Sequence, residues 1–252
     1  LIEAGDRNFD EERFNNAIML YRLVYTKPQL LEKVETRLAK LRQAIKFMKG
    51  SGLNQDKSVR LQQALRNQKD AEEQLKRLTE YPEYNQEVYI RSARTYLELK
   101  MYWEALVLFR HVFEAYPDHE LAEQSLYSAF STALEMERED RAIAEGYDYV
   151  EAFPAGAFWD TVTVVVMQMH VQREEYQKCL DLGRTALEKK PTHEKGDQVE
   201  YLIGFSLFQL DRVEDALNQF ARVISTYPDS FFREPSEYWH ALAQLFVANY
   251  PD

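Results

Sequence analysis

The 252-residue sequence predicts an all-α fold of antiparallel helix pairs stacked into a solenoid, and three observations carry that prediction. A Tyr/Phe/Lys-Pro dipeptide recurs at Tyr81-Pro82, Tyr116-Pro117, Phe153-Pro154, Lys190-Pro191 and Tyr227-Pro228, and from Pro117 onward the prolines stand 37, 37 and 37 residues apart. A constant interval of this size marks stacked supersecondary units. Small residues, Ala105, Ala142, Cys179 and Ala216, precede the last four of these prolines by twelve positions. Finally, eight glycines and eight prolines leave few places for tight β-turns, while 45% hydrophobic and 13% aromatic content exclude disorder.

Residues 1–28 read as a partial unit, with Gly5, Phe14, Ala17, Tyr21 and Val24 placed ahead of Pro28 as in the later units. Residues 29–82 exceed one unit. There Leu31, Val34, Leu38, Leu41, Ile45 and Met48 step by 3 and 4 residues, the spacing of a coiled-coil seam. After the loop Lys49-Gly50-Ser51-Gly52-Leu53, a second helix over about Asp56–Thr79 carries Leu61, Ala64, Ala71, Leu75 and Leu78, interrupted by Gln68. The segment is therefore an elongated helical hairpin, each arm about 30 Å long at 1.5 Å per residue. It holds 12 Lys+Arg against 7 Asp+Glu, which suits either a basic arm docking an acidic partner or an enlarged repeat with a solvated face.

Residues 83–228 hold four units. Each proline should close a helix, because it lacks an amide donor and disfavours helical geometry in the preceding residue. Counting back from it, apolar or absent side chains recur 24 positions earlier (Ala93, Phe130, Met167, Gly204), eight earlier (Phe109, Gly146, Gly183, Phe220) and five earlier (Val112, Tyr149, Ala186, Val223). Those offsets fit two amphipathic helices per unit. Short turns join them at Lys100-Met101-Tyr102, Glu137-Arg138-Glu139-Asp140, Arg173-Glu174-Glu175 and Asp211-Arg212-Val213. The small residue belongs where the two helices cross, since the contacting side chains set the interaxial distance at about 8–10 Å. Cys179 occupies that place and reads as a buried structural thiol. Residues 229–252 form an aromatic-rich terminal helix with Phe231, Phe232, Tyr238, Trp239, Leu242, Leu245, Phe246 and Tyr250, too apolar for a solvated cap. We expect it to meet another subunit, or the natural chain to continue beyond Asp252.

These units resemble the tetratricopeptide repeat. Tyr89 to Pro117 matches best, through Ala93, Tyr96, Ala105, Phe109 and Pro117, followed by Gly204, Leu207, Ala216, Phe220 and Pro228. Gly146 and Gly183 depart from the pattern by replacing its aromatic. The resemblance covers about two-thirds of the chain and implies a right-handed superhelix that binds peptides on a concave face lined by the first helix of each pair. Carried across unit by unit, the ligand-contacting positions are Ile90, Arg94 and Leu97; Tyr127 and Ser131; Val164, Gln168 and Val171; Tyr201, Phe205 and Phe208. Only Arg94 among them is cationic, so the carboxylate clamp of some family members is missing; Tyr127, Tyr201, Phe205 and Phe208 suit an extended or helical segment with apolar anchors.

Catalytic motifs are lacking. His111, His119, His170, His193 and His240 form no pair at metal-binding spacing, and no glycine-rich phosphate loop or Gly-x-Ser-x-Gly elbow occurs. His170 aligns with Tyr96, Ala133 and Leu207 of other units and reads as a core histidine. No enzyme activity, cofactor or metal is expected. One cysteine excludes an internal disulfide. Residues 1–82 carry 16 Lys+Arg against 12 Asp+Glu, a balance of +4, whereas residues 83–252 carry 15 against 30, a balance of −15 that repels nucleic acid and anionic membrane. The longest apolar run, Val162 to Met169, is too short to span a bilayer. No export signal is visible in Leu1 to Asp10. The expected partner is a protein or peptide, with self-association through the terminal aromatic helix. Tyr-Pro-Asp turns and abundant tyrosine are similar to repeat proteins of the bacterial cell envelope, including outer-membrane assembly lipoproteins, which implies a periplasmic scaffold; a cytoplasmic scaffold or regulator, or the non-catalytic repeat domain of a larger enzyme, are the alternatives.

Overall fold

The computed structural model describes residues 1–50 and 55–249. Thirteen helices and no strand occur among them, and no helix there is long and apolar enough to cross a membrane. The chain divides into two compact units, residues 1–108 and 109–252, with the boundary inside α6.

In unit 1, α1 (Ile2–Asp10) and α2 (Phe14–Arg22) form a helix pair on which α5 (Asn85–Glu98) packs. Their core is Ala17, Tyr21 and Val88, with Ile2, Phe9, Val24 and Tyr84 around it. Between them stand α3 (Lys27–Gly50) and α4 (Gln55–Glu80), packed on each other through Val34, Leu38 and Ala71 with Leu41, Leu75 and Leu78. Of the residues read as the seam, Val34, Leu38, Leu41, Ala71, Leu75 and Leu78 pack together, and Ile45 is buried. The expected loop at Lys49-Gly50-Ser51-Gly52-Leu53 starts within α3, and Ser51 to Leu53 lie outside the described residues, as do Tyr250 and Asp252. Pro28 corrects one expectation: it sits in the first turn of α3, where a missing amide costs nothing, instead of closing α2. The hairpin base is stapled by Lys27, whose Nζ donates to the carbonyls of Thr79 at 3.2 Å and Tyr81 at 2.6 Å.

From α5 onward the helices are uniform. α6 (Tyr102–Ala115), α7 (Ala122–Glu135), α8 (Glu139–Ala152), α9 (Trp159–Gln172), α10 (Tyr176–Lys189), α11 (Gly196–Gln209) and α12 (Val213–Thr226) each span 14 residues, as α5 does. The helix α13 (Arg233–Asn249) follows. In unit 2, α7 packs on α8, α9 on α10 and α11 on α12, and each second helix also meets the first helix of the next pair. The four small residues at the crossings, Ala105, Ala142, Cys179 and Ala216, are all 0% exposed.

The glycines that depart from the family pattern have a packing cause. Positions 16 residues apart, one on each helix of a pair, share a fixed space. A Cβ added to Gly204 would lie 2.8 Å from Cε1 of Phe220, one at Gly183 would lie 2.7 Å from Cε of Met167, and one at Gly146 would lie 3.1 Å from Cε2 of Phe130. Gly5 meets Tyr21 the same way in unit 1. The large side chain has changed helices, and the glycine opposite it makes the room.

The turn within each pair is also uniform. Glu12, Lys100, Glu137, Glu174 and Asp211 all have φ between 54° and 59°, the left-handed region, although none is glycine. Each closes its helix with a paired backbone motif: Lys100 N–H donates to the Leu97 carbonyl at 2.8 Å and Met101 N–H to the Tyr96 carbonyl at 2.8 Å, and the same pattern recurs at Glu137, Glu174 and Asp211. A side chain in that conformation costs about 1 kcal/mol, and an acid there also faces the negative end of the helix dipole.

These two features predict opposite responses to small substitutions. Gly146→Ala should destabilise by about 2 kcal/mol despite its gain in helix propensity, because the added methyl meets Val166 and Phe130. Glu174→Gly should stabilise by about 1 kcal/mol by relieving its left-handed backbone. Equilibrium unfolding in denaturant measures both.

Candidate functional site

A groove of about 590 Å³ opens in unit 1. Its floor is one face of α5, with Asn85, Val88, Tyr89, Ser92 and Tyr96 at helical spacing. One wall is Ile18, Tyr21 and Arg22 of α2 with the link Val24–Thr26; the other is Trp103, Glu104, Val107 and Leu108 of α6. Five tyrosines and one tryptophan line it, counting Tyr25 and Tyr84, and Trp103 is 52% exposed.

Hydrogen bonds hold these rings in place. Tyr21 donates its hydroxyl to Asp6 Oδ1 at 2.6 Å, and Arg91 Nε donates to the same oxygen at 3.0 Å. Burial first, and then Asp6, push the Tyr21 phenol well above its ordinary range. Tyr84 donates to the Tyr25 carbonyl at 2.6 Å, and the Lys27 backbone N–H donates to Asn85 Oδ1 at 3.0 Å. Lys33 Nζ stands 3.4 Å from the Tyr25 ring centre, and this ammonium lowers the phenol's pKa. The result is a set of fixed aromatic walls with a mixed rim of Arg22, Glu104 and Gln29. Such a surface binds apolar side chains and orients them through hydroxyls.

The residues projected from the family divide. On α5, Ile90 is buried, Leu97 half-buried and Arg94 exposed, and all three lie on a different face of the helix from the groove. In unit 2, Tyr127 stacks on Phe158 with centroids 3.9 Å apart and planes 12° from parallel. Val164 is buried; Ser131 and Val171 are half-buried, and Gln168 is exposed. The last aromatic group is covered from within the chain: Tyr201 meets Phe232 at 5.1 Å, Phe205 and Phe208 meet Trp239 at 5.1 and 5.2 Å, and Phe208 meets Phe246 at 5.5 Å. Phe232 and the helix α13 that follows it thus cover the apolar surface expected for a ligand.

His170 is the core histidine expected, 1% exposed, with Nδ1 2.7 Å from Glu175 Oε2 and Nε2 2.9 Å from the Tyr147 hydroxyl. Hydrogen bonds from Lys178 and then His170 hold the Glu175 carboxyl down at about 2. Cys179 is fully buried, and burial pushes its thiol up to about 11, far from a reactive thiolate.

One recurring group was not singled out in the sequence. Glu123, Asp160 and Asp197, again 37 residues apart, occupy the first turns of α7, α9 and α11, where the helix dipole favours an acid. Each reaches a residue 30 to 34 positions on. Glu123 Oε1 accepts from the Tyr149 hydroxyl at 2.7 Å and the Ala157 N–H at 2.6 Å. Asp160 Oδ2 accepts from Lys190 Nζ at 2.5 Å, and Asp197 Oδ2 from Ser230 Oγ at 2.5 Å. Lys190 therefore has a use for its charge where other units place an aromatic before proline.

Comparison with known proteins agrees with this architecture. A family profile described as Tetratricopeptide repeat matches residues 198–230. No curated protein matches the sequence. Among solved structures, a tetratricopeptide repeat protein from Parabacteroides merdae ATCC 43184 is similar over 65% of this chain at 16% identity with a TM-score of 0.50. The aligned part spans 60% of that protein's own length. YrrB, described as a TPR protein with an unusual peptide-binding site, aligns over 65% of this chain and 78% of its own at 18% identity and a TM-score of 0.47. MamA AMB-1 aligns over 91% of each chain at 15% identity and 0.47. Residues 198–230 thus carry a tetratricopeptide repeat, and the helix pairs at a 37-residue interval share their fold with the Parabacteroides tetratricopeptide repeat protein.

Proposed function

We propose that the chain is a non-catalytic interaction module whose unit 1 groove takes an apolar helical or extended segment of a partner protein. Repeats of this family generally mediate protein–protein interaction, and the observation that carries the reading here is the aromatic groove itself. Tyrosine and tryptophan walls supply large contact area at small entropic cost. Arg94 and Gln168, which are exposed, and Leu97 and Ser131, which are half-buried, are further candidate contacts. Affinity capture with the full-length protein tests the groove. A Trp103→Ala, Tyr25→Ala variant should stay folded and lose about 30-fold or more in affinity for the captured partner, as hot-spot truncations do. Retention of every partner at full affinity by the folded variant would refute the assignment.

A second contact is self-association through α13, supported by Tyr238 and Leu245, seven residues apart on that helix and 64% and 59% exposed, with Phe231, 85% exposed, in the turn before it. An apolar stripe at that spacing suits another helix of the same kind. Sedimentation of the parent protein should show a dimer that Tyr238→Glu converts to monomer; a monomeric parent would remove this part of the reading. The cell-envelope resemblance of the Tyr-Pro-Asp turns supports a periplasmic assembly role. Fractionation of cells carrying the full-length gene tests that placement, and recovery in the cytoplasm would favour a cytoplasmic scaffold or regulator.

A further inference from the structure

We propose that His193 makes the α10–α11 link a proton-sensitive latch, closed while its ring is neutral and released when the ring takes up a proton. The link runs over residues 190–195 and leads into α11, which packs on α9. His193 sits in it with its side chain 0% exposed and its ring centre 5.4 Å from that of Trp159. Its Nδ1 has two neighbours. The Lys195 N–H donates to it at 3.1 Å, closing the start of α11, and Asp160 Oδ1 stands 3.2 Å away. A ring nitrogen either accepts or donates. While Nδ1 accepts from Lys195 it carries no proton, so Asp160 Oδ1 faces a lone pair, and that buried oxygen has no hydrogen bond among the described residues. With a proton on Nδ1 the reverse holds: Asp160 gains a donor and the Lys195 N–H loses its acceptor.

The next link shows what the fold requires at this place. Ser230, 37 residues on, accepts from the Phe232 N–H at 3.0 Å and donates to Asp197 Oδ2 at 2.5 Å. A hydroxyl performs both tasks at once, and a single imidazole nitrogen cannot. The histidine thus gives its link two arrangements, each with one polar group left unpaired, and the proton selects between them.

Charged groups face the ring from each neighbouring element. Asp160 comes from α9, and Lys190, whose Nζ donates to Asp160 Oδ2, stands just past α10. Glu194, Lys195 and, in α11, Asp197 follow in sequence; Tyr227 and Asp229 share the lining of a 340 Å³ pocket with His193. Burial outweighs them. It is the largest influence on His193 and holds the ring below its ordinary pKa, ahead of Asp160, which acts upward, and Lys190, which acts downward. The released link, with its ring in water, therefore binds the proton first as pH falls past about 6.5, and the closed link loses stability from there downward.

Amide hydrogen exchange of the full chain at pH 7 and pH 5, corrected for intrinsic rates, tests the proposal. Exchange at the Lys195 amide should rise about 10-fold at the lower pH, within the ceiling of roughly 25-fold for one proton taken up near pH 6.5, while the Phe232 amide, capped by Ser230, changes less than about 2-fold. His193→Asn keeps an acceptor for Lys195 and a donor for Asp160 without a titrating group, and should abolish the rise. Circular dichroism checks that this variant folds; should it not, His193→Ser, with the side chain that serves the next link, makes the same comparison. A Lys195 amide indifferent to pH overturns the proposal. So does a rise that persists in the folded variant, which would assign it to the carboxylates, and so does an equal rise at Phe232, which would mark a general loosening of unit 2 by acid.

Discussion

The volume available where two paired helices cross is the constraint on which the rest of the structure depends. At the crossing itself only Ala105, Ala142, Cys179 and Ala216 occur, all fully buried. One turn away the space admits one large side chain, on either helix: Tyr21 opposite Gly5, Phe130 opposite Gly146, Met167 opposite Gly183, Phe220 opposite Gly204. Dense packing makes this exchange obligatory in both directions, since a second large residue overfills the site and two small ones leave a cavity. With the spacing of the pair fixed in this way, 14-residue helices and a constant turn give every unit the same length.

Polar groups then join one unit to the next at small individual cost. The first-turn acids Glu123, Asp160 and Asp197 sit where a helix N-terminus stabilises negative charge, and each accepts hydrogen bonds from residues 26 to 34 positions on. They do not supply the bulk of stability, which comes from apolar burial. Their contribution is orientation, because a carboxylate with two fixed donors permits few relative placements of the helices it links.

Much of this was legible in the sequence because it repeats. The proline interval located the ends of α6, α8, α10 and α12, and the offsets 24, 12, 8 and 5 residues before each proline picked out buried positions in every unit. The 3-and-4 spacing picked out Val34, Leu38 and Leu41, by which α3 packs on α4. Other features were hidden for physical reasons. Left-handed turn residues are usually found through glycine, and here Lys100, Glu137, Glu174 and Asp211 carry that conformation under an ordinary side chain. Pro28 has the same chemistry at the start of a helix as beyond its end, so sequence could not tell which it marks. The unit 1 groove was missed because its floor is a face of α5 adjacent to the projected one, and its walls come from α2 and α6, which no local pattern brings together. The covering of Tyr201, Phe205 and Phe208 by Phe232 and α13 was likewise invisible, since an aromatic that binds a ligand and one that binds a neighbouring segment have the same composition.

Function follows from what the packing leaves open. In unit 2 most of the projected aromatics are spent on neighbouring helices, whereas unit 1 keeps an aromatic groove. All of this presumes that helix crossings govern the fold, and unfolding of Ala142→Leu beside Ala144→Leu tests that presumption most directly. The two positions share α8, and alanine and leucine have nearly equal helix propensity, but Ala142 is buried at the crossing and Ala144 is exposed. The account predicts a loss of about 3 kcal/mol for the first and almost none for the second. Equal tolerance of leucine at both would contradict it.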